Sequence, residues 1–126
     1  MVRFGTLEYY EKLAEIMNKD ETISKSRIDA TVVIVFEDVK TAEGVSKAFL
    51  IRLENGKVTE VREARPDEDA DFTISATYNI HAGIAKGELD PLRAKIWYKS
   101  MMKAARSLPV LKRLGEILRE MKDVEY

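Results

Sequence analysis

From Thr6 onward, apolar side chains recur at Leu7, Tyr10, Leu13, Ala14 and Met17, three or four residues apart, and so share one face of a helix. Glu8 and Glu11 in the first turn and Lys19 in the last complement the helix dipole, and the spacing predicts a helix over 6–19. Residues 20–26 are polar and read as a connection. Between 27 and 39 the chain alternates at its ends and turns apolar on both faces from Val32 to Phe36, the pattern of a strand covered on both sides. A second strand follows, with Val45, Phe49, Ile51 and Leu53 on one face and Ser46, Ala48, Leu50 and Arg52 on the other. Asn55-Gly56 supplies the two positive-φ positions of a tight hairpin turn, so a third strand over 57–62 pairs back antiparallel. Residues 65–69, with Pro66, read as a loop. Phe72, Ile74 and Ala76 then alternate with Asp71, Thr73, Ser75 and Thr77 as a fourth strand.

There the period changes. Thr77 is placed to cap a short helix through Lys86 that buries Ile80 and Ile84, with Gly87 at the left-handed position that ends it. Asp90-Pro91 pairs a cap with proline at the first helical position, which predicts a new helix. Residues 99–106 fit two periods. Ala94, Trp97, Met101 and Ala105 support a continued helix, whereas Tyr98, Ser100, Met102 and Ala104 alternate as a strand; local spacing alone favours helix. Ser107 and Pro109 open a last helix, in which Leu108, Leu111, Leu114, Ile117, Leu118 and Met121 form an apolar stripe opposite Lys112, Arg113, Arg119 and Lys122.

Composition narrows the class. A chain of 126 residues, 45% hydrophobic, is expected to fold as one domain over 1–126, with a core large enough to need no covalent staple. The absence of cysteine excludes disulfides, thiolate nucleophiles and cysteine-bound zinc or iron–sulfur. Glutamine is absent too, and asparagine occurs only at 18, 55 and 79, a depletion that fits a protein built for heat. No apolar run approaches the ~20 residues of a membrane span. The first eleven residues are interrupted by charge, so a soluble cytoplasmic protein is the expectation. The net charge of −1 hides a division: residues 1–90 hold 12 basic and 18 acidic side chains, whereas 91–122 hold nine basic and two acidic. Such a basic segment suits an anionic partner or the acidic remainder of its own fold.

Candidate chemistry is sparse. His81 is the only histidine, which excludes a multi-histidine metal centre, and no nucleophile motif accompanies it. The acidic clusters Glu37-Asp38 and Asp67-Glu68-Asp69 lack the spacing of a calcium loop. The glycines form neither a phosphate loop nor a dinucleotide fingerprint. The basic segment contains only Trp97 and Tyr98 as aromatics, without the interleaving that stacks bases, so no nucleic acid is expected. No catalytic residue, metal ligand or cofactor follows from these residues. Met101 and Met102 beside Trp97 and Tyr98, followed by the leucine-rich helix, remain open to three uses: the wall of an apolar pocket, ordinary core, or a dimer seam.

A leading helix, an antiparallel sheet with a tight hairpin, the strand Ala70-Asp71-Phe72-Thr73-Ile74-Ser75, a short helix, the step Gly87-Glu88-Leu89-Asp90-Pro91 and a C-terminal amphipathic helix together resemble the sterol carrier protein 2 family. The resemblance implies an α+β fold: a five-stranded, mainly antiparallel sheet layered against helices around an apolar tunnel. It also implies binding of fatty acids, fatty acyl-CoA, phospholipids or sterols without a reaction. It makes 98–104 the fifth strand, with Tyr98 and Ala104 where the family has flanking glycines. On this reading the apolar wall comprises Phe49, Ile51, Ile84, Trp97, Met101, Leu111, Leu114 and Leu118. Lys99, Lys103, Arg106, Lys112 and Arg113 attract a head group or an anionic membrane surface. The expected partner is a lipid, with the protein a monomer or homodimer. The competing reading is a dimerisation module whose C-terminal helix packs on a partner chain.

Overall fold

The computed structural model describes residues 1–126. The Thr6 hydroxyl accepts the Tyr9 amide and opens helix α1 (Leu7–Lys19), which buries Tyr9, Tyr10, Leu13, Ala14 and Met17. Asp20 caps α2 (Glu21–Ser26). Strands β2 (Ala30–Lys40), β3 (Ser46–Glu54) and β4 (Lys57–Ala64) follow, after a short β1 (Val2–Arg3) at the start of the chain. Next come β5 (Phe72–Ala76), α3 (Tyr78–Ala85), a single 3-10 turn at Pro91–Arg93, β6 (Lys95–Tyr98), α4 (Met101–Glu120) and β7 (Val124–Glu125).

The main sheet has the order β4-β3-β2-β5-β6. β2 and β5 are parallel and every other neighbouring pair is antiparallel, so the α+β, mainly antiparallel, five-stranded arrangement expected from the sequence is what forms. β1 and β7 make a separate parallel clasp, Val2 against Val124 and Arg3 against Glu125. The register puts Val33 and Val35 on one face, with Leu50 and Ala48, and Ile34 and Phe36 on the other. Phe36, Phe49, Ile51 and Leu53 join the buried side chains of α1, α3 and α4 in the principal core. The reverse face is covered by the crossover from β4 to β5, whose Ala70 packs with Val33, Val35, Ala48 and Leu50. This crossover carries the chain past two strands, which is how an antiparallel meander acquires one parallel pair.

Local chemistry placed several elements as expected. Asn55 and Gly56 take φ of 50° and 79° between strands paired at Glu54 and Lys57. Thr77 caps α3 through the Ile80 amide, and Gly87, with φ of 79°, lies just past its end.

Four expectations are corrected. Residues 20–26 are not a polar connection: Asp20 accepts the Ile23 amide and Ile23 is fully buried, so a short helix anchors there. Pro91 starts only one 3-10 turn, because the chain is drawn straight into the sheet beside β5. The fifth strand is Lys95–Tyr98, not 98–104, and Tyr98 and Ala104 do not flank it. Ser100 caps α4 through the Lys103 amide, so the helix begins at Met101, ahead of Ser107, and Pro109 falls inside it.

Candidate functional site

Two rows of side chains cross the helix-facing side of the sheet. The register aligns Val61, Ile51, Val32, Phe72 and Tyr98 in one row, and Glu63, Phe49, Ile34, Ile74 and Ile96 in the next. α1 packs on β3 and β4, and α3 packs on β2. α4 rests on the other three helices, and no helix makes an extended contact with β5 or β6. Burial follows that coverage. Phe49 and Ile51 are buried, Val32, Ile34 and Ile74 keep part of their surface open, and Ile96 and Tyr98 are exposed. On β2, the central strand, the helix-facing Val32 and Ile34 are more accessible than Val33 and Val35 on the reverse face. Apolar surface at Val32, Ile34, Ile74, Ile96 and Tyr98 is therefore left partly open by the helices, interrupted at Phe72, which is buried, and Val32, Ile74, Ile96 and Tyr98 stand outside the principal core.

The residues expected to form an apolar wall fall into three settings. Phe49 and Ile51 belong to the core, and Leu114 and Leu118 are half-buried against it. Ile84 and Leu111 are half-buried but do not pack into it. Trp97 and Met101 are exposed. Trp97 pairs with Thr73, in the register opposite to Ile74 and Ile96, and so lies on the side away from the helices. Ile34, Ile74 and Ile96 are absent from the expected wall, and Tyr98 is expected only beside it, as a neighbour of Trp97. Their only sequence signal is alternation in β5; that β6 continues the same rows is visible only once the pairing is known.

Salt bridges occupy several of the expected cations. Lys99 Nζ lies 2.7 Å from Asp69 Oδ1, a hydrogen bond that raises the lysine pKa. Lys103 Nζ is 3.3 Å from Asp71 Oδ1. Arg113 holds Asp20 at 2.9 Å and Glu116 at 3.1 Å, and its hydrogen bond is the main cause of the lowered Asp20 pKa. Arg106 and Lys112 have no ion-pair partner.

His81 Nε2 is 2.7 Å from the Val35 carbonyl oxygen, and the ring packs on Phe36 at 4.5 Å between centroids. A carbonyl only accepts, so Nε2 carries the proton. Burial lowers the pKa of the ring below its ordinary value. No three acidic or histidine side chains converge on a point that fits a metal ion. No helix is long and apolar enough to cross a membrane. Two open clefts lie elsewhere: one of about 390 Å³ beside Phe4, Phe36, Tyr78 and Tyr126, and one of about 330 Å³ lined chiefly by polar groups of β3, β4 and the crossover.

The sequence matches no family model and no curated protein. The fold has relatives of known structure. A crystal structure of sterol carrier protein 2 superposes with a TM-score of 0.75 at 16% identity, over 92% of this chain and 97% of that one. A hypothetical protein of Thermus thermophilus, described as possibly a sterol carrier protein, gives 0.72 at 17% identity over 91% and 87%. A variant of a sec-alkyl sulfatase contains a similar unit, with a TM-score of 0.59 at 22% identity over 93% of this chain and 17% of that one. The chain thus has the sterol carrier protein 2 fold expected from its sequence.

Proposed function

We propose that the protein binds and carries an elongated apolar lipid (a fatty acid, fatty acyl-CoA, phospholipid or sterol-like molecule) against the helix-facing side of β2, β5 and β6, without catalysing a reaction. The observation that carries this reading is the burial in the first half of β2, where helix-facing Val32 and Ile34 are more accessible than Val33 and Val35 behind them, although Phe36 further along the same face is buried. Apolar surface left open on the inner side of a sheet is the kind of surface an apolar guest covers favourably. The names of sterol carrier proteins with the same fold support the class of guest.

Ile34, Ile74, Ile96 and Tyr98 provide the sheet side of the site, with Ile84 and Leu111 on the helices above. Three neighbouring strands at ~4.8 Å spacing give a strip about 10 Å across. Each ligand methylene buried there contributes ~0.8 kcal/mol, so a long chain is held without specific polar contacts. Of the five cations expected from the sequence, Arg106 and Lys112 have no carboxylate partner and are left to receive an anionic head.

Native mass spectrometry of gently purified protein, followed by solvent extraction, tests the reading. A lipid adduct that is lost in Ile74→Asp, with the fold retained, supports it. A lipid-free chain that dimerises as its concentration rises replaces it with the dimerisation module.

A further inference from the structure

We propose that the corner made by β6 and the first two turns of α4 docks the protein on an anionic lipid bilayer. This rests on the carrier reading for its purpose but not for its observations. Seven of the nine large apolar side chains exposed on the molecule lie between 92 and 108. Leu92 is 84% exposed, Trp97 55%, Met101 74%, Met102 66% and Leu108 63%, with Ile96 and Tyr98 between them. β6 is the edge strand of the sheet, so side chains from both of its faces border one rim, and Ser100 turns the chain directly into Met101 and Met102.

Charge identifies the occupant. The same window contains Arg93, Lys95, Lys99, Lys103 and Arg106 and no acidic residue. Glu37, Asp69 and Asp71 pair with three of these cations, which leaves Arg93 and Arg106 unpaired. Tryptophan and tyrosine favour the boundary between water and hydrocarbon, and cations beside an apolar patch gain from anionic head groups. A second copy of the chain fits poorly, because pairing two β6 edges antiparallel about Trp97 sets Lys95 of each copy opposite Lys99 of the other. With Glu37, Asp69 and Asp71 set aside at the corner, residues 1–90 still carry 15 acidic against 12 basic side chains, an excess that disfavours their surfaces at a negative bilayer. The corner also borders Ile74, Ile96 and Tyr98, so a lipid leaving the bilayer there meets the open strip directly.

Trp97 is the only tryptophan and reports on the docking. Purified protein is mixed with vesicles of phosphatidylcholine alone, or of phosphatidylcholine with phosphatidylserine. Sedimentation with the mixed vesicles, a blue shift of Trp97 emission, quenching by brominated acyl chains and release by high salt are expected. Removing two cations in Arg93→Gln/Arg106→Gln weakens partitioning by about 25-fold, and Met101→Ser/Met102→Ser also weakens it, with the thermal midpoint unchanged for these exposed positions. Docking is overturned if the protein stays in the supernatant, binds neutral and mixed vesicles alike, or sediments with Trp97 still in water. Extraction of the protein after filtration away from the vesicles separates the two ideas. Lipid carried off without docking overturns this inference alone, and docking without carried lipid overturns the carrier reading alone.

Discussion

The Arg113 guanidinium of α4 donates to the same Asp20 carboxylate that caps α2, with Nε 2.9 Å from Oδ1 while Oδ2 accepts the Ile23 amide at 3.1 Å. One side chain thereby starts a helix and ties down the longest helix, 93 residues further along the chain. Asp20→Ala removes the cap, worth about 1 kcal/mol, and leaves Arg113 without its main partner. A lowered thermal midpoint and faster amide exchange at Ile23 are the expected readouts.

Acid stability follows from the same pair and from a second one. Arg62 pulls the Glu68 pKa down from 4.5 to about 2, and Arg113 lowers that of Asp20. A carboxyl that is more acidic in the folded than in the unfolded chain favours folding above its unfolded pKa. That contribution is lost as pH falls through the folded value. The thermal midpoint is therefore expected to hold near neutrality and to drop between about pH 4.5 and pH 2, with a shallower drop in Glu68→Gln. An equally steep drop in that variant removes Glu68 from the explanation.

His81 is expected to titrate below 6.5, because burial outweighs the hydrogen bond to Val35 and the nearby Glu37 and Asp38. The unfolded chain takes up this proton first on acidification, so the group favours folding above pH 6.5 and that contribution is lost as pH falls towards the folded value. Proton NMR of the single imidazole gives the pKa directly. A midpoint at or above 6.5 contradicts the buried neutral ring.

The hairpin turn carries a stricter constraint than its dihedral angles. A Cβ at Gly56 comes within 2.4 Å of the Ser24 carbonyl oxygen and 2.9 Å of that of Ile23, and the Gly56 amide donates to Ile28 O at 2.9 Å. Gly56→Ala combines a positive φ with a backbone collision and is expected to cost more than about 1 kcal/mol, measured by denaturant unfolding. A mild effect shows that α2 gives way.

Core and candidate site separate by substitution. Phe49→Ala is expected to cost about 3–5 kcal/mol. Ile96→Asp, at an exposed edge position, changes stability by about 0.5 kcal/mol or less and reduces the lipid that co-purifies. Leu114 and Leu118 pack on the core, so changing them perturbs folding together with any binding. Unfolding curves paired with extraction of bound lipid distinguish the two classes.

Much of this fold was legible in the sequence because local chemistry and tertiary packing agree. Asn55-Gly56, the Thr6 and Thr77 caps and the alternation of Phe72, Ile74 and Ala76 each decide their element within a few residues. α2 was missed although Asp20 and Glu21 gave a cap and an acidic first turn, because a lone Ile23 makes no periodic stripe. At 98–104 local spacing favoured helix, and from Met101 it was right; the resemblance displaced it with a strand that lies earlier, at Lys95–Tyr98. Ile96, Trp97 and Tyr98 suit a strand, but four residues are set only by pairing with β5, a contact made across the α3 region. The candidate site was half-legible. Phe49 and Ile51 lie on the expected side of the sheet, but Trp97 projects from the other one, and no pattern within a single strand reveals which strip the helices leave open.

Pro109, inside α4, has no amide to give the Ala105 carbonyl, so the hydrogen-bond ladder has a missing rung between the turns that carry Met101, Met102 and Leu108 and those anchored by Val110 and Ile117. The Ser107 hydroxyl gives the Lys103 carbonyl a bond one turn earlier, and Lys103 reaches Asp71, so side chains rather than the ladder tie the leading turns down while Arg113 and Asp20 hold the later ones.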